Sequence, residues 1–455
     1  MNNKSIRQVR IVRQGKAALA AALLPIMMIS TNSNADDLVA VYKQAMEKDP
    51  TYLAAGFQNS ANGEIYQQAK SALFPTLNVE YDRTKTSQDI VSSDVTEFQV
   101  GTSDYTSTNY SITLDQPIFN YALYIKFRQS KSEVKRSVSE YRLAQQALII
   151  RTAELYFAVL ANQDKLTFAQ SEQRAIAGQL KLIDAKMSKG LARKTDLYDV
   201  KARHATIQAV VIEAENILDD SQQALQESIG SLPSSLLNVK SDIPLVTPDP
   251  QSVDEWVDAS LKQNASIDYL EHDVAVAKEE VLRQKGGHYP KLDLQFKKSN
   301  ANSGGSTFGG SSEIDTGDIV LKLTVPIYQG GFVSSKVKEA AYQHQKILTQ
   351  LEQKKREVIR MARASYKGVI SSISKVNALK ESVASQQLAL NAKQEGYKAG
   401  LFVSMAVLDA ERDLYLAKRD YAQARYDYIL NGLRLKNAAG TLSEEDIMQV
   451  NTWLQ

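Results

Sequence analysis

From Leu351 to Tyr397 the sequence has no proline, and glycine only at Gly368 and Gly396. It carries a stripe every seventh residue: Ala362, Val369, Val376, Val383, Leu390 and Tyr397. A second stripe, Leu351, Val358, Ser365, Ser372 and Leu379, lies beside it. Seven-residue spacing holds side chains on one seam of a slightly underwound, left-handed supercoiled helix. The helical pattern extends back to Phe332, so the helix spans ~100 Å at ~1.5 Å per residue. Globular helices average about a dozen residues. A helix this long belongs to an extended assembly.

Composition closes several alternatives. The chain has a formal net charge of +2 and 23% charged residues, which gives no electrostatic argument for nucleic acid. It contains no cysteine, which removes disulfides, thiolate metal sites and cysteine nucleophiles, and with them a lipid anchor on an N-terminal cysteine. His204, His272, His288 and His344 are scattered, without the i, i+4 pairing of a helical zinc site. No cofactor is expected. Nothing resembles a nucleophile elbow or phosphate loop, and Glu444-Glu445 fits a helix's first turn, so the chain reads as a non-enzyme.

Lys4, Arg7, Arg10, Arg13 and Lys16 precede an apolar run from Ala17 to Ile29, and Ser33-Asn34-Ala35 offers a small-x-small cleavage site. Residues 1–35 read as a secretory signal peptide. The apolar run is shorter than the ~20 residues that span a bilayer. No later segment supplies a transmembrane helix, so membrane entry requires strands.

The remainder is an internal duplication. Phe74-Pro75-Thr76-Leu77 corresponds to Tyr289-Pro290-Lys291-Leu292, Gln116-Pro117-Ile118-Phe119 to Val325-Pro326-Ile327-Tyr328, Gly190-Leu191 to Gly400-Leu401, Asp199 to Asp409, and Ile229-Gly230 to Ala439-Gly440. The first repeat spans 36–232, a linker 233–251, the second repeat 252–442 and a C-terminal tail 443–455. The linker is rich in proline, and the tail opens on an acidic capped turn expected to pack outside the helical array.

Each repeat reads as helix, strand, strand, long helix, helix. The first helices are expected over about 37–72 and 252–285, ended by Pro75 and Pro290. The long helices run over about 121–189 and 332–399, each stopped by a glycine. Return helices follow to Gly230 and Gly440, with Thr195-Asp196 and Ser404 as expected caps. The strands alternate. Leu77, Val79 and Tyr81 point one way, as do Tyr110, Ile112 and Leu114, Leu292, Leu294 and Phe296, and Leu321 and Leu323, with polar residues between. A polar loop is expected over 299–317. A soluble sheet needs a layer over its apolar face, and no globular segment remains to supply one. A membrane barrel with an apolar outer face fits better. Four strands cannot close a barrel, so the chain must oligomerise, and three copies give twelve strands.

Several motifs in this order resemble the TolC family of outer-membrane export channels. They are Gly400-Leu401 followed by Val407-Leu408-Asp409-Ala410, Gly190-Leu191 followed by Thr195-Asp196-Leu197-Tyr198-Asp199, Tyr426-Asp427-Tyr428-Ile429-Leu430-Asn431, Lys436 to Leu442, and Asn451-Thr452-Trp453-Leu454. The resemblance implies a mostly α fold with a small transmembrane β part: a homotrimer whose 12-stranded β-barrel in outer-membrane lipid continues into a 12-helix α-barrel in the periplasm. It implies an exit duct for type I protein secretion or multidrug efflux, opened by iris-like movement of the hairpins. A periplasmic adaptor would dock at Gly190, Leu191, Gly400 and Leu401, with an inner-membrane ABC or proton-driven transporter behind it. The family pattern also places Tyr397, Thr195, Asp196 and Asp409 at the gate. Phe402 stands where that pattern has arginine and Ala406 where it has a pore aspartate, leaving Asp409 as the one ring acid and Phe402 as a hydrophobic constriction or a packed turn residue. The rival expectation is a periplasmic coiled-coil adaptor or scaffold that never enters a membrane.

Overall fold

The structure is a computed structural model that describes residues 35–92, 100–305 and 310–455. The expected signal peptide lies, but for Ala35, outside the described residues. The first half contains helices α1 (Leu38–Lys48) and α2 (Pro50–Ser71), strands β1 (Thr76–Ile90) and β2 (Gly101–Asn120), and helices α3 (Tyr121–Ser188) and α4 (Lys194–Ile229). The second repeats the order with α5 (Val253–Gln263), α6 (Ala265–Lys285), β3 (Lys291–Ser303), β4 (Ser312–Thr324), α7 (Phe332–Lys398) and α8 (Ser404–Ala439). A short α9 (Glu444–Asn451) follows.

The first helix of each half is broken, contrary to the single helices expected over 37–72 and 252–285. Asp49 and Asn264 take extended backbone angles, and each caps the next helix with its own side chain. Asp49 accepts from the Tyr52 N–H at 2.9 Å and Asn264 from the Ser266 N–H at 3.0 Å. Pro50, at the first helical position, enforces the first break. The second has no proline and rests on the asparagine cap alone.

The four strands form one antiparallel sheet in the order β1-β2-β3-β4. Its register aligns the alternating apolar residues into cross-strand rows. Leu77 faces Leu114, Leu114 faces Phe296 and Phe296 faces Ile319. Val79 and Ile319 each expose 74% of their surface, and nothing among the described residues covers this face. The ladder reaches Ser303 and resumes at Ser312, so the turn is shorter than the 299–317 loop expected. Asn300 holds the polar ends together, donating to Glu313 and Asp315 at 3.0 Å each.

The long helices have 68 and 67 residues, ~100 Å each. On α7 the seam residues Ala362, Val369, Val376 and Leu390 are buried, as the heptad spacing requires. Gly230 and Gly440, at φ 75° and 78°, end the return helices in the left-handed region.

The core is a belt around the middle of the long helices. α3 contributes Leu148, Ala153, Tyr156, Phe157 and Leu160; α1, α4 and α8 pack on it. The Tyr156 hydroxyl donates to the Leu237 carbonyl at 2.7 Å, and Phe157 stacks on Tyr426 at 5.7 Å. Buried Asp49 pairs with Arg151 at 2.7 Å and accepts from Ser228 at 2.8 Å. The linker and tail pack into this belt. Val239 bridges Leu454 in antiparallel fashion, and Ile243, Ile447 and Val450 are buried in the same core. The acidic tail turn forms a capping box between Ser443 and Asp446.

Candidate functional site

The two helical hairpins end in matching glycine turns. Gly190 and Gly400 have φ of 72° and 78°, where a Cβ is strained. After each, the leucine N–H reaches back to the helix: Leu191 to the Lys186 carbonyl and Leu401 to the Gly396 carbonyl, both at 2.8 Å. This satisfies a terminal carbonyl and fixes the tight reversal. It also leaves Leu191 and Leu401 protruding, 74% and 78% exposed. These two large apolar side chains at the tips are left uncovered by the described residues.

Behind the tips each hairpin has a small core. Ile176, Ile183, Val200 and Ile207 of α3 and α4 pack together, and Leu408 of α8 joins them. Leu390, Ala410 and Leu414 join α7 to α8. Leu408 therefore seats the second hairpin on the first.

Two polar links cross the same boundary. Lys186 of α3 donates to the Tyr397 hydroxyl of α7 at 3.0 Å, with its ammonium 5.2 Å from the ring centroid. Arg203 of α4 pairs with Asp409 of α8, and Arg412 lies 3.9 Å from the same carboxylate. Tyr397 and Asp409 thus lie at the boundary between the hairpins, Tyr397 on the Lys186 ammonium and Asp409 in an ion pair with Arg203. Thr195 and Asp196 are exposed. They do not cap α4, because the helix starts at Lys194 with Arg193 in the cap position. Asp196 instead lies in the first turn, where its charge complements the helix dipole. Ser404 likewise is the first residue of α8, with Val403 in the cap position, and its buried hydroxyl has no hydrogen-bond partner among the described residues.

Phe402 lies across its own hairpin. A methyl group on Gly396 would collide with the Phe402 ring, so the missing side chain makes the ring's seat. The ring remains 47% exposed. Burial pushes the Glu172 carboxyl up, with Arg412 and Arg203 pulling it back. Burial raises Glu411 in the same way, opposed by a hydrogen bond from Gln394. Sequence reasoning missed Lys186, Arg203 and Arg412. No local signal marks the first two, whose partners lie 211 and 206 residues away.

The comparisons with known proteins agree with this architecture. The family described as "Outer membrane efflux protein" matches residues 41–231 and 256–441. The chain is 31% identical to the outer membrane protein TolC of Escherichia coli K12, over 95% of this chain and 89% of that protein. It is 27% identical to the proteases secretion protein PrtF of Dickeya chrysanthemi, over 96% of this chain and 95% of that one. Its fold superposes on the Campylobacter jejuni CmeC outer membrane channel with a TM-score of 0.75 at 16% identity, covering 93% of this chain and 91% of that one. A scaffold confined to the periplasm is disfavoured, since it gives the uncovered sheet no role. A duplicated chain with ~100 Å helices, an open four-stranded sheet and paired glycine-turned hairpins belongs to the outer membrane efflux protein family, as an outer-membrane channel protein.

Proposed function

We propose that three copies close a twelve-stranded barrel in the outer membrane, continuous with a tunnel of twelve helices in the periplasm. The observation that carries this reading is the four-stranded sheet, apolar and uncovered on one face and unpaired at both edges, rooted on helices too long for a globular domain. Residues 36–232 and 252–442 supply two hairpin staves each. The chain is a passive duct, driven by an ABC or proton-driven transporter in the inner membrane through a periplasmic adaptor. The protruding Leu191 and Leu401, set by Gly190 and Gly400, are the adaptor's docking points. Secretion of proteins is favoured as cargo by the similarity to PrtF and to an alkaline protease secretion protein of Pseudomonas aeruginosa, 28% identical over 93% of this chain and 88% of that one.

At rest the Lys186–Tyr397 and Arg203–Asp409 links hold the second hairpin against the first, with Phe402 narrowing the opening between them. Thr195 and Asp196 lie on the exposed first turn of α4, where a neighbouring copy can reach them. Opening swings the second hairpin outward and breaks both links. Purified protein in planar bilayers tests this. Discrete single-channel conductance is expected, raised in Lys186→Met and in Arg203→Ala. A protein that sediments as a monomer and gives no conductance sinks the reading. Arg203→Ala also removes the nearer of the two guanidinium groups beside Asp409, so multivalent cations added on the periplasmic side should block that variant more strongly than the wild type and the Asp409→Ala variant least.

A further inference from the structure

Duplication has copied a cavity as well as the helices. In the first half it lies between α3, α4 and the linker, where Val159, Gln222 and Leu225 line it beside Ser234, Ser235 and Asn238. In the second half Val369, Gly432 and Leu435 occupy the corresponding positions. That cavity, of about 260 Å³, is walled by Trp256 of α5, Tyr428 of α8 and Trp453 of the tail. The first copy is lined by amides and hydroxyls, the second by aromatic rings. Where the first has the Gln222 side chain, a methyl group built on Gly432 meets no atom within 4 Å. An apolar cavity of roughly 150 Å³ already takes up benzene, so this one has room for a small organic molecule.

The chain's two tryptophans both stand in this wall. Tyr428 and Trp453 lie near-parallel, with ring centroids 6.3 Å apart, and form one aromatic surface. The linker fixes two of the rings by their polar atoms. The Trp256 indole N–H donates to the Pro250 carbonyl at 2.8 Å, and the Tyr428 hydroxyl accepts from the Val246 N–H at 2.9 Å. Three charged side chains reach the wall. Lys436 and Asp446 pair with each other and cancel, and Asp446 also accepts from the Ser443 N–H at 2.9 Å. Asp249 is exposed beside the cavity and has no ion-pair partner among the described residues. The uncompensated charge is therefore negative, and the ring faces add a quadrupole that attracts cations.

We propose that this cavity binds a small organic cation, an alkylated ammonium, held against Trp256, Tyr428 and Trp453 with Asp249 as its counter-charge. The charge of such a group is spread over its methyl groups. It loses little hydration on entering an apolar cavity and is attracted by every ring face it meets. Val369 lies about 37 residues along α7 from Phe332, ~55 Å below the strands, so water rather than a lipid headgroup is the source of the ligand. About 29 residues, ~44 Å, separate Val369 from Lys398, so the site stands apart from the hairpin gate.

Calorimetric titration of the purified protein in a maltoside detergent with choline tests this. One saturable site per chain is expected, with tryptophan emission changing over the same range, because both tryptophans are in the wall. The uncharged isostere of choline, in which a tert-butyl group replaces the trimethylammonium head, should bind about tenfold more weakly. Gly432→Leu, which grows a side chain into the open space, should abolish binding. Asp249→Asn should weaken it about threefold. The absence of a saturable site, an isostere that binds as well as choline, or undiminished binding by Gly432→Leu overturns the proposal. Should Gly432→Leu fail to fold, Asp249→Asn removes only an exposed charge, and an unchanged affinity in that variant overturns it as well.

Discussion

Helices α3 and α7 are copies of one another, with nearly the same length and matching ends, yet they occupy different surroundings. α3 runs through the belt with α1, α2, α4, α6 and α8 against it, and its mid-section is buried on several sides. α7 packs on α5, α6 and α8 and buries little more than its heptad seam. Tyr156 and Tyr366 occupy corresponding positions. The first is wholly buried, and the second is half-buried with its hydroxyl on the Gln251 carbonyl. Duplication has copied a helix, and packing has given the copies different work: one is the spine of the chain, the other a flank.

That contrast can be broken by experiment. The largest effect is expected at the spine. Tyr156→Ala should cost about 4 kcal/mol in denaturant unfolding and Tyr366→Ala only about 1 kcal/mol. Equal losses would show that the two helices share one environment. Next come the equivalent helix breaks. Asp49→Asn removes an acceptor buried against Arg151, Ser228 and the Tyr52 N–H, and should cost about 3 kcal/mol. Asn264→Ala removes a cap alone, about 1 kcal/mol. Burial alone would raise the Asp49 carboxyl, but the Tyr52, Arg151 and Ser228 contacts outweigh it and hold its pKa below the ordinary carboxylate value. The ionised form is therefore the stabilising one. Its contribution is complete above the unfolded carboxylate pKa and is lost as pH falls through the depressed folded value. The gap between wild type and Asp49→Asn should close in acid, as measured by unfolding at a series of pH values.

On the flank, Val376→Ala cuts the α7 seam and should cost about 2 kcal/mol. A change in stability of about 1 kcal/mol, as small as that for Asn264→Ala, is expected for Gly396→Ala, which evicts the Phe402 ring. Its larger consequence is expected in single-channel conductance, which should rise if the ring narrows the duct and stay constant if the ring only fills the turn.

The sequence made α7 legible and α3 less so, for a physical reason. A helix buried along one seam shows its heptad, while a helix buried on several sides blurs its own pattern, as Leu148, Ile149, Thr152 and Ala153 do. The first half's long helix is therefore legible chiefly through its correspondence with the second. Helix ends were readable because Gly190 and Gly400 act locally. The break at Pro50 had a signal, and that at Asn264 had only a cap. Lys186 and Arg203 were not readable, since their partners are brought near by packing between hairpins.

One polar contact in the α7 seam has a mechanical consequence. Asn431 of α8 donates to the Ser372 hydroxyl at 2.8 Å, and that hydroxyl donates to the Gly368 carbonyl at 2.8 Å. Sliding α7 along α8 by one turn would leave both polar groups stranded in an apolar seam, so the rods resist translation. The register is held again near the tip, where Leu390, Ala410 and Leu414 join the two helices. Any swing of this hairpin therefore carries α7 and α8 together, and the strain of parting Lys186 from Tyr397 falls on the boundary with the first hairpin rather than within the second.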